Sequence, residues 1–325
     1  MTQTLIDNIL KIINEKKRFL ITSHADPDGD SLGSQIALYR ALKESGKEAV
    51  IINQGAMPSK YRFLDRDGIV SFRRDNLDFS PEAVFILECP SLDRIGFVRE
   101  LIPGSAVTVN IDHHPDNTEY ADINLVDVES SAVGETLYLM FKAGNIKITR
   151  ETAIPLYAAI VSDTGRFRFG STTSRSMRAA ANLVDLGANP KSISDSIFSD
   201  YAPETIRLLG HTLAGLRLEA DGKIGYVTIT RKSLEDFGAV IENSEGFVDS
   251  ILAISGIHLG LMFKEISENK VKVSVRSQNG CDAAAFARSF NGGGHVNAAG
   301  FSLDGNLDEA VNLVIGRAKD FVAND

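Results

Sequence analysis

The stretch Ser23-His24-Ala25-Asp26-Pro27-Asp28-Gly29-Asp30-Ser31 decides the fold class, because it directly follows the apolar run Phe19-Leu20-Ile21-Thr22. Such a short apolar run between polar segments predicts a buried β-strand. Ser31 is the predicted N-cap of a helix that extends to about residue 45. A buried strand, a polar loop and a helix in this order are typical of a parallel α/β sheet, in which ligands bind beyond the carboxyl ends of the strands.

Similar patterns continue along the chain and predict two α/β domains joined by a helical connector. In the first 190 residues, further strands are predicted at 49–52, 83–87 and 106–111, and helices at 135–142, 151–162 and 173–186. Later strands are predicted at 216–219, 224–230, 257–266 and 271–277, and helices at 245–255, 281–290 and 307–322. We expect domain 1–190 to hold a mainly parallel sheet flanked by helices. A connector at 191–215 and a smaller α/β domain at 216–325 follow.

The composition is that of a globular protein in a reducing compartment. The chain has 325 residues, enough for two domains, and only two cysteines, Cys89 and Cys281. Its first residues have helical periodicity unlike a signal peptide, and no apolar run reaches the roughly 18 residues that span a bilayer. The net charge of −9 disfavours binding to long duplex nucleic acid. We expect a cytoplasmic protein with no membrane partner, acting on small anionic substrates.

Histidines and carboxylates follow several predicted strands at the point where each strand ends. His24, Asp28 and Asp30 follow the first strand, Glu88 follows strand 83–87, Asp112-His113-His114 follows the apolar part of strand 106–111, and Asp163 follows helix 151–162. Oxygen ligands with a few imidazoles suit Mn²⁺ best, with Mg²⁺, Co²⁺ and Zn²⁺ as alternatives. The pattern predicts two divalent ions that hold both sides of an in-line phosphoryl displacement, with Asp112 orienting a ligand histidine.

These segments also have a purely structural interpretation. Asp26-Pro27-Asp28-Gly29 is favourable turn chemistry, and two adjacent histidines are weak evidence for a metal when taken alone. Glu88 and His113 arise, however, at the ends of two further strands that are far from this loop in sequence. Because coincidence at three separate strand ends is improbable, the metal site is the favoured interpretation.

A second polar constellation lies near the C-terminus. Asn291-Gly292-Gly293-Gly294-His295 follows the helix predicted at 281–290, and Arg276-Ser277 end the strand predicted at 271–277. Consecutive glycines allow backbone N–H groups to approach a phosphate, and a guanidinium group binds phosphate in a bidentate manner. The pattern predicts a phosphate site, and the alternative is a flexible loop beside a surface arginine.

Together these motifs resemble the DHH phosphoesterase family, and in particular its two-domain bacterial nanoRNases, which also act on pAp (3′-phosphoadenosine 5′-phosphate). The resemblance covers nearly the whole chain. It includes His24-x-x-x-Asp28-x-Asp30, Asp112-His113-His114, Ser162-Asp163-Thr164-Gly165 and, in the DHH-associated C-terminal domain, segments 272–277 and 292–301. The resemblance implies the DHH fold, with the active site in a cleft between the two domains.

The resemblance also implies a role for each site residue and a cofactor of two Mn²⁺ ions, with Mg²⁺ or Co²⁺ as alternatives. His24 and Asp28 would bind the first ion, and Asp30, His113 and Asp163 the second, with Glu88 bridging both. His114 would contact the scissile phosphate, with Asp112 as its catalytic partner. The residues that would hold the terminal phosphate or nucleotide of the substrate are Arg276, Ser277, Gly292, Gly293, Gly294 and His295.

The implied activity is hydrolysis of short single-stranded RNA or DNA oligonucleotides to mononucleotides, and of pAp to AMP. Open alternatives are pGpG or another linear dinucleotide, pyrophosphate or short polyphosphate as substrate, and a nucleotide-binding protein without turnover. The last alternative arises because family members usually have aspartate at the position of Glu88, as they often have glycine at that of Asn291. The extra methylene of glutamate displaces its carboxylate by about 1–1.5 Å. The oligomeric state is open, with a homodimer as one candidate.

Overall fold

The computed structural model describes residues 3–72 and 79–323 and divides the chain into two units, Met1–Asp200 and Tyr201–Asp325. The division falls inside the segment expected to be a helical connector. The domain boundaries placed at residues 190 and 216 and the connecting role of that segment stay predictions. Within the described ranges, no helix is both long and apolar enough to cross a lipid bilayer.

The first unit contains a six-stranded sheet in which all neighbouring strands are parallel. Its strands are β1 (Arg18–Thr22), β2 (Glu48–Ile52), β3 (Val70–Ser71), β4 (Ala83–Leu87), β5 (Val107–Asp112) and β6 (Ile123–Val126), in the order β3-β2-β1-β4-β5-β6. Its helices are α1 (Gln3–Glu15), α2 (Gly29–Glu44), α3 (Val133–Ala143), α4 (Arg150–Asp163), α5 (Ser174–Asp185) and α6 (Pro190–Phe198). The predicted parallel sheet flanked by helices is confirmed.

Strand β4 is apolar throughout because both faces of the sheet are covered. In β4, Ala83, Phe85 and Leu87 pack into one hydrophobic cluster with the helices, whereas Val84 and Ile86 pack into a second cluster on the opposite face. A 3₁₀ helix that follows β4 completes that second cluster. Parallel strands buried on both faces lack polar alternation, which is why continuous apolar runs predicted them.

The edge strands β3 and β6 were not among the predicted strands. Strand β3 is two residues long, and β6 has the sequence Ile-Asn-Leu-Val, in which only Leu125 is fully buried. Such short segments carry too few apolar residues to produce a recognisable pattern. Their pairing to the neighbouring strands depends on the tertiary fold.

Two glycines of α2 allow this helix to pack directly against α4, at Gly33 against its backbone. A Cβ atom on Gly33 would lie 2.4 Å from the carbonyl oxygen of Pro155, and one on Gly29 would lie 2.0 Å from Ser162 Oγ. Helices approach this closely only where a residue has no side chain. The contact brings the N-terminus of α2 beside the C-terminus of α4, where Asp163 lies.

Replacing Gly33 with alanine is expected to destabilise the first unit, although alanine favours helix by about 1 kcal/mol over glycine. The added methyl group meets backbone atoms that cannot rotate away, and overpacking of this kind costs about 1–3 kcal/mol. The measurement is the thermal unfolding midpoint, which should fall. Gly104→Ala is the matched control because a Cβ atom there meets nothing within 4 Å. An unchanged or higher midpoint for Gly33→Ala would contradict the close helix contact.

The second unit contains a mixed six-stranded sheet. Its strands are β7 (Arg217–Glu219), β8 (Ile224–Ile229), β9 (Leu259–Ser267), β10 (Lys270–Ser277), β11 (Gly293–His295) and β12 (Ala298–Asp304), in the order β11-β12-β10-β9-β8-β7. Its α-helices are α7 (Pro203–Ala214), α8 (Arg231–Phe237), α9 (Ala283–Arg288) and α10 (Leu307–Ala323). Only β8 and β9 pair in parallel. The expected second α/β unit is therefore present.

The structure differs from the predicted elements of this unit at strands β11 and β12, at helix α8 and at segment 245–255. Helix α8 was not predicted. Strands β11 and β12 were not predicted, because glycine and alanine dominate both segments and have low strand propensity. The helix predicted at 245–255 is a 3₁₀ helix at Phe247–Ala253. In β12 the buried Phe301 stacks on Phe290, with ring centroids 4.4 Å apart. This tertiary contact stabilises a strand that its sequence only weakly favours.

Candidate metal centre

The loop between β1 and α2, together with the first turn of α2, carries three of the predicted ligands. His24 lies two residues beyond β1, and Asp28 is the N-cap of α2. The Asp28 carboxylate accepts a hydrogen bond from the backbone N–H of Ser31 at 3.0 Å, and the Ser31 hydroxyl accepts one from the N–H of Asp28 at 2.9 Å. The prediction that Ser31 is the N-cap was therefore wrong. Ser31 is instead the third helical residue, and its side chain completes a capping box with Asp28.

Asp30 is completely buried and links the first turn of α2 to the start of α3. Its two carboxylate oxygens accept hydrogen bonds from the backbone N–H groups of Val133 at 2.6 Å and Gly134 at 2.9 Å. Helix α3 has no side-chain cap of its own, so the carboxylate of Asp30 satisfies its first N–H groups. Ser34 also donates to Asp30 at 3.0 Å. These bonds fix the direction of the Asp30 side chain.

Glu88 directly follows β4 and is buried, with its side chain beside the loop after β1. Its Oε2 atom lies 2.7 Å from His24 Nε2. Glu88 has a left-handed backbone, with φ at 51°, a conformation that is uncommon for residues other than glycine and costs of order 1–3 kcal/mol. The backbone turn thus places the carboxylate at the carboxyl edge of the sheet.

The Asp112-His113-His114 segment lies at the end of β5, and each histidine ring has a defined partner. His113 Nδ1 is 3.1 Å from the carbonyl oxygen of Ser130, and His114 Nδ1 is 2.8 Å from Asp112 Oδ1. Asp112 is itself held by hydrogen bonds from the His113 backbone N–H at 2.8 Å and from Asn117 at 2.5 Å. A neutral His113 therefore carries its proton on Nδ1, since the Ser130 carbonyl can only accept. Asp112 orients His114.

Asp163, the last residue of α4, completes the cluster. Its Oδ2 atom lies 3.3 Å from His113 Nε2, and Asp30 Oδ2 lies 3.9 Å from the same nitrogen. His113 Nε2 thus stands between two carboxylates from different helices. The packing of α2 on α4 described above is what brings these two carboxylates together.

Two groups of potential ligands can be defined among the described residues of the first unit. In one, single ligand atoms of His24, Asp28 and Glu88 lie within 4.8 Å of one another; in the other, those of Asp30, Glu88 and His113 do. Glu88 belongs to both groups. The sequence placed these residues at three separate strand ends, and the fold gathers them into one cluster.

The cluster concentrates negative charge in a buried place. Burial, followed by repulsion from Asp28 and Asp30, raises the pKa of Glu88 well above its ordinary value. Burial and the charge of Asp30 likewise raise the pKa of Asp163 well above its usual range, and burial raises the pKa of Asp30 itself. Burial opposes protonation of His113, but the carboxylates of Asp163 and Asp30 raise its pKa. Carboxylates and imidazoles that repel or share protons in this way fit divalent cations, which compensate the charge.

The environment of His24 and Asp112 differs from that of the acids. Burial is the main cause that lowers the pKa of His24, which keeps the ring neutral as a metal ligand requires. Burial would raise the pKa of Asp112, but hydrogen bonds from His114 and Asn117 outweigh it and lower that pKa. Asp112 is therefore an ionised acceptor beside His114 Nδ1.

In the second unit, the register of three strands brings the predicted substrate residues to one end of the sheet. Arg276 in β10 and His295 in β11 both pair with Ala298 of the intervening strand β12. Residues in register on neighbouring strands project from the same face, so the Arg276 and His295 side chains share a face. Arg276 also forms an ion pair with Asp249, with Nε and Oδ1 2.6 Å apart.

Ser277 and the glycines have structural roles of their own. The buried Ser277 hydroxyl donates to the carbonyl of Val296 at 2.8 Å and belongs to the face opposite Arg276. A Cβ atom on Gly292 or Gly294 would lie 2.4 or 2.5 Å from a backbone oxygen of β12, whereas Gly293 is exposed and meets nothing within 4 Å. Close backbone pairing thus requires two of the glycines, and substrate roles for this set stay predictions.

Several residues around the cluster were not singled out from the sequence. Ser130 acts through its backbone carbonyl, which carries no sequence signal at all. Asn117 lies five residues beyond Asp112 in a turn, where asparagine is common for local reasons. Arg175 forms ion pairs with two acids near the start of α3, and an isolated arginine in a helix gives no hint of such partners.

A parallel sheet with acids and imidazoles gathered at its carboxyl edge, followed by a second mixed sheet, is the architecture of a class of phosphoester hydrolases. Residues 18–160 match the N-terminal domain of the DHH family, and residues 224–321 match the DHHA1 domain. The chain belongs to the DHH family of phosphoesterases.

Two relatives and one solved structure cover nearly the full length. The chain is 33% identical over 313 residues to the bifunctional oligoribonuclease and PAP phosphatase NrnA of Thermus thermophilus, covering 96% of this chain and 91% of the relative. It is 28% identical over 310 residues to the protein of the same name from Bacillus subtilis, covering 94% and 95%. An exopolyphosphatase-related protein from Bacteroides fragilis has a similar crystal structure, with a TM-score of 0.92 and 25% identity over 98% of this chain and 96% of that one.

Proposed function

We propose that this chain is a Mn²⁺-dependent phosphodiesterase that hydrolyses short oligonucleotides to mononucleotides and also converts pAp to AMP. The observation that carries the proposal is the convergence of His24, Asp30, Glu88, His113 and Asp163 on one buried cluster. The names of the two NrnA relatives support the substrate class, since their similarity to this chain covers both units.

The ligand groups support two metal positions. His24 and Asp28 would hold one ion, and Asp30, His113 and Asp163 the other, with Glu88 between them because it belongs to both groups. Two divalent ions would supply positive charge to the phosphate and hold the attacking and leaving oxygens in line. Mn²⁺ suits this mixture of oxygen and imidazole ligands, with Mg²⁺ or Co²⁺ as alternatives.

His114, oriented by Asp112, would stabilise negative charge on the phosphate of the substrate. Because Asp112 holds His114 Nδ1 at 2.8 Å, the Nε2 atom is the one that would contact a phosphate oxygen. A protonated His114 would then donate a hydrogen bond to the phosphate and stabilise the negative charge that develops on it.

The second unit would supply recognition of the substrate end. Arg276 and His295 share one face of the sheet, beside the exposed backbone of Gly293. A guanidinium group, an imidazole and accessible N–H groups form a suitable site for a terminal phosphate. The cleft expected between the two domains stays a prediction, as do the roles of Ser277, Gly292 and Gly294 toward substrate.

The test is a side-by-side comparison of substrates with Mn²⁺, Mg²⁺ and Co²⁺. Labelled dinucleotides and pAp should be hydrolysed faster than pyrophosphate or short polyphosphate, and pGpG shows whether base identity matters. Asp93→Asn is the control, since Asp93 is exposed and pairs only with Arg99 among its described contacts. Exclusive turnover of pyrophosphate or polyphosphate would contradict the proposal.

One further variant, Glu88→Asp, distinguishes the proposed enzyme from a nucleotide-binding protein without turnover. Such a binding protein would bind pAp tightly, release no product, and gain activity in Glu88→Asp, because the shorter side chain restores the carboxylate position usual in the family. Wild-type turnover of dinucleotides at a rate similar to that of Glu88→Asp would exclude this alternative.

A further inference from the structure

The segment that leads from β6 into the first turn of α3 contacts two of the proposed metal ligands. The carbonyl oxygen of Ser130 is 3.1 Å from His113 Nδ1, and the N–H groups of Val133 and Gly134 donate to Asp30 at 2.6 and 2.9 Å. Both contacts are made by backbone atoms. The position of segment 130–134 therefore determines where His113 and Asp30 point.

Arg175, in the first turn of α5, holds this segment from outside the cluster. Its Nε atom donates to Glu135 Oε1 at 2.5 Å, and its Nη2 atom lies 3.0 Å from Asp127 Oδ2. The other oxygen of Glu135 accepts hydrogen bonds from the backbone N–H and the hydroxyl of Ser131, at 2.8 and 2.7 Å. One guanidinium group thus connects the residues on either side of the segment.

The two acids depend on Arg175 for their charge balance. Glu135 is completely buried and Asp127 is 6% exposed, whereas the Arg175 side chain reaches them from a partly exposed position. Removing one partner of a buried ion pair leaves the remaining charge uncompensated in a place of low polarity. Without Arg175, two carboxylates would be left at opposite ends of segment 127–135, and the segment is expected to shift.

We propose that Arg175 is a positioning residue that sets metal affinity at the Asp30–His113 side of the cluster by clamping segment 127–135. This inference rests on the proposed function, because it requires the cluster to bind metal. Outer partners of metal ligands change affinity by about 10–100-fold when they are removed. We expect a loss of that size in Arg175→Met, confined to one of the two ions.

The experiment is a Mn²⁺ titration of the full chain without substrate, with free Mn²⁺ followed by electron paramagnetic resonance. Arg175→Met should weaken one binding step by about 10–100-fold and leave the other unchanged. Arg175→Lys should recover part of the affinity, because lysine keeps the charge but lacks the planar fork that reaches two acids. The matched control is Arg178→Met, one turn along α5, where the exposed arginine donates to Ser174; it should bind as wild type does.

A double variant keeps the test decisive if Arg175→Met folds poorly. Arg175→Met with Glu135→Gln removes the charge of the completely buried Glu135, one of the two left uncompensated, and still leaves the segment without its arginine, so one binding step should remain weak. Wild-type affinity in both variants, or an equal loss at both steps, would overturn the positioning role while the proposed function stands. Failure of the wild-type chain to bind any divalent ion would instead overturn the proposed function and this inference with it.

Discussion

Replacing Asp30 with asparagine is expected to lower kcat/KM for Mn²⁺-dependent dinucleotide hydrolysis by about 10³-fold. The change removes a negative charge from the cluster, and a loss of roughly 4 kcal/mol of transition-state stabilisation corresponds to three powers of ten. The asparagine NH₂ group would also face the N–H groups of Val133 or Gly134, which need an acceptor. Both the charge and the direction of the ligand are therefore lost.

Initial rates over a range of dinucleotide concentrations measure this effect, and Asp93→Asn serves as the control for loss of one acidic charge. The thermal unfolding midpoint of each variant shows whether the fold persists. An Asp30→Asn protein that keeps its fold and more than a tenth of wild-type activity would contradict the assignment of Asp30 as a ligand.

Without metal, the folded chain is expected to become more stable as the pH falls from 8 toward about 5, although mild acid usually destabilises proteins. Burial and mutual repulsion raise the pKa values of Glu88, Asp163 and Asp30 in the folded chain. The folded state then binds protons more tightly than the unfolded state, so stability increases as pH falls from 8 toward about 5, above the ordinary carboxyl pKa of about 4. The raised pKa of His113 acts in the same direction, whereas the lowered pKa values of His24 and Asp112 oppose it.

Mn²⁺ should replace these protons and stabilise the chain most at high pH. At a free concentration 100 times Kd, one ion contributes about 2.7 kcal/mol, or roughly 5–10 °C in the midpoint of a unit of this size. Scanning calorimetry with EDTA or with Mn²⁺ at pH 8 and pH 5.5 measures both effects. A metal-free midpoint that falls steadily from pH 8 to pH 5.5 would contradict the proposed crowding of carboxylates.

The sequence predicted those parts of the fold whose signal is local. Strands β1 and β4 contain continuous apolar runs because both of their faces are buried, whereas β5 alternates Val107, Val109 and Ile111 with polar residues. The polar residues at the carboxyl ends of these three strands were correctly expected there. The short edge strand β3 and the glycine-rich β11 gave no such signal, since long-range pairing forms them. Local pattern therefore identified the centre of the first sheet better than its margins.

The site shows the same division between local and long-range information. His24, Asp28 and Asp30 could be grouped from the sequence because one loop carries them. The position of Asp163 could not be derived in this way, because it depends on how closely α4 packs against α2. The contacts of Ser130 and Arg175 are set by tertiary structure alone.

The direct packing of α2 on α4 limits how far the distances between the proposed metal ligands can vary. At Gly33 the two helices meet through main-chain atoms, which cannot change rotamer and are scarcely compressible. The distance between Asp30 and Asp163 is therefore fixed by rigid backbone contact. If leucine or methionine side chains separated the two helices instead, they could change conformation and let this distance vary. A cation bound at this edge of the sheet would therefore have to match a spacing that the protein backbone sets, and ions of a different radius would fit poorly.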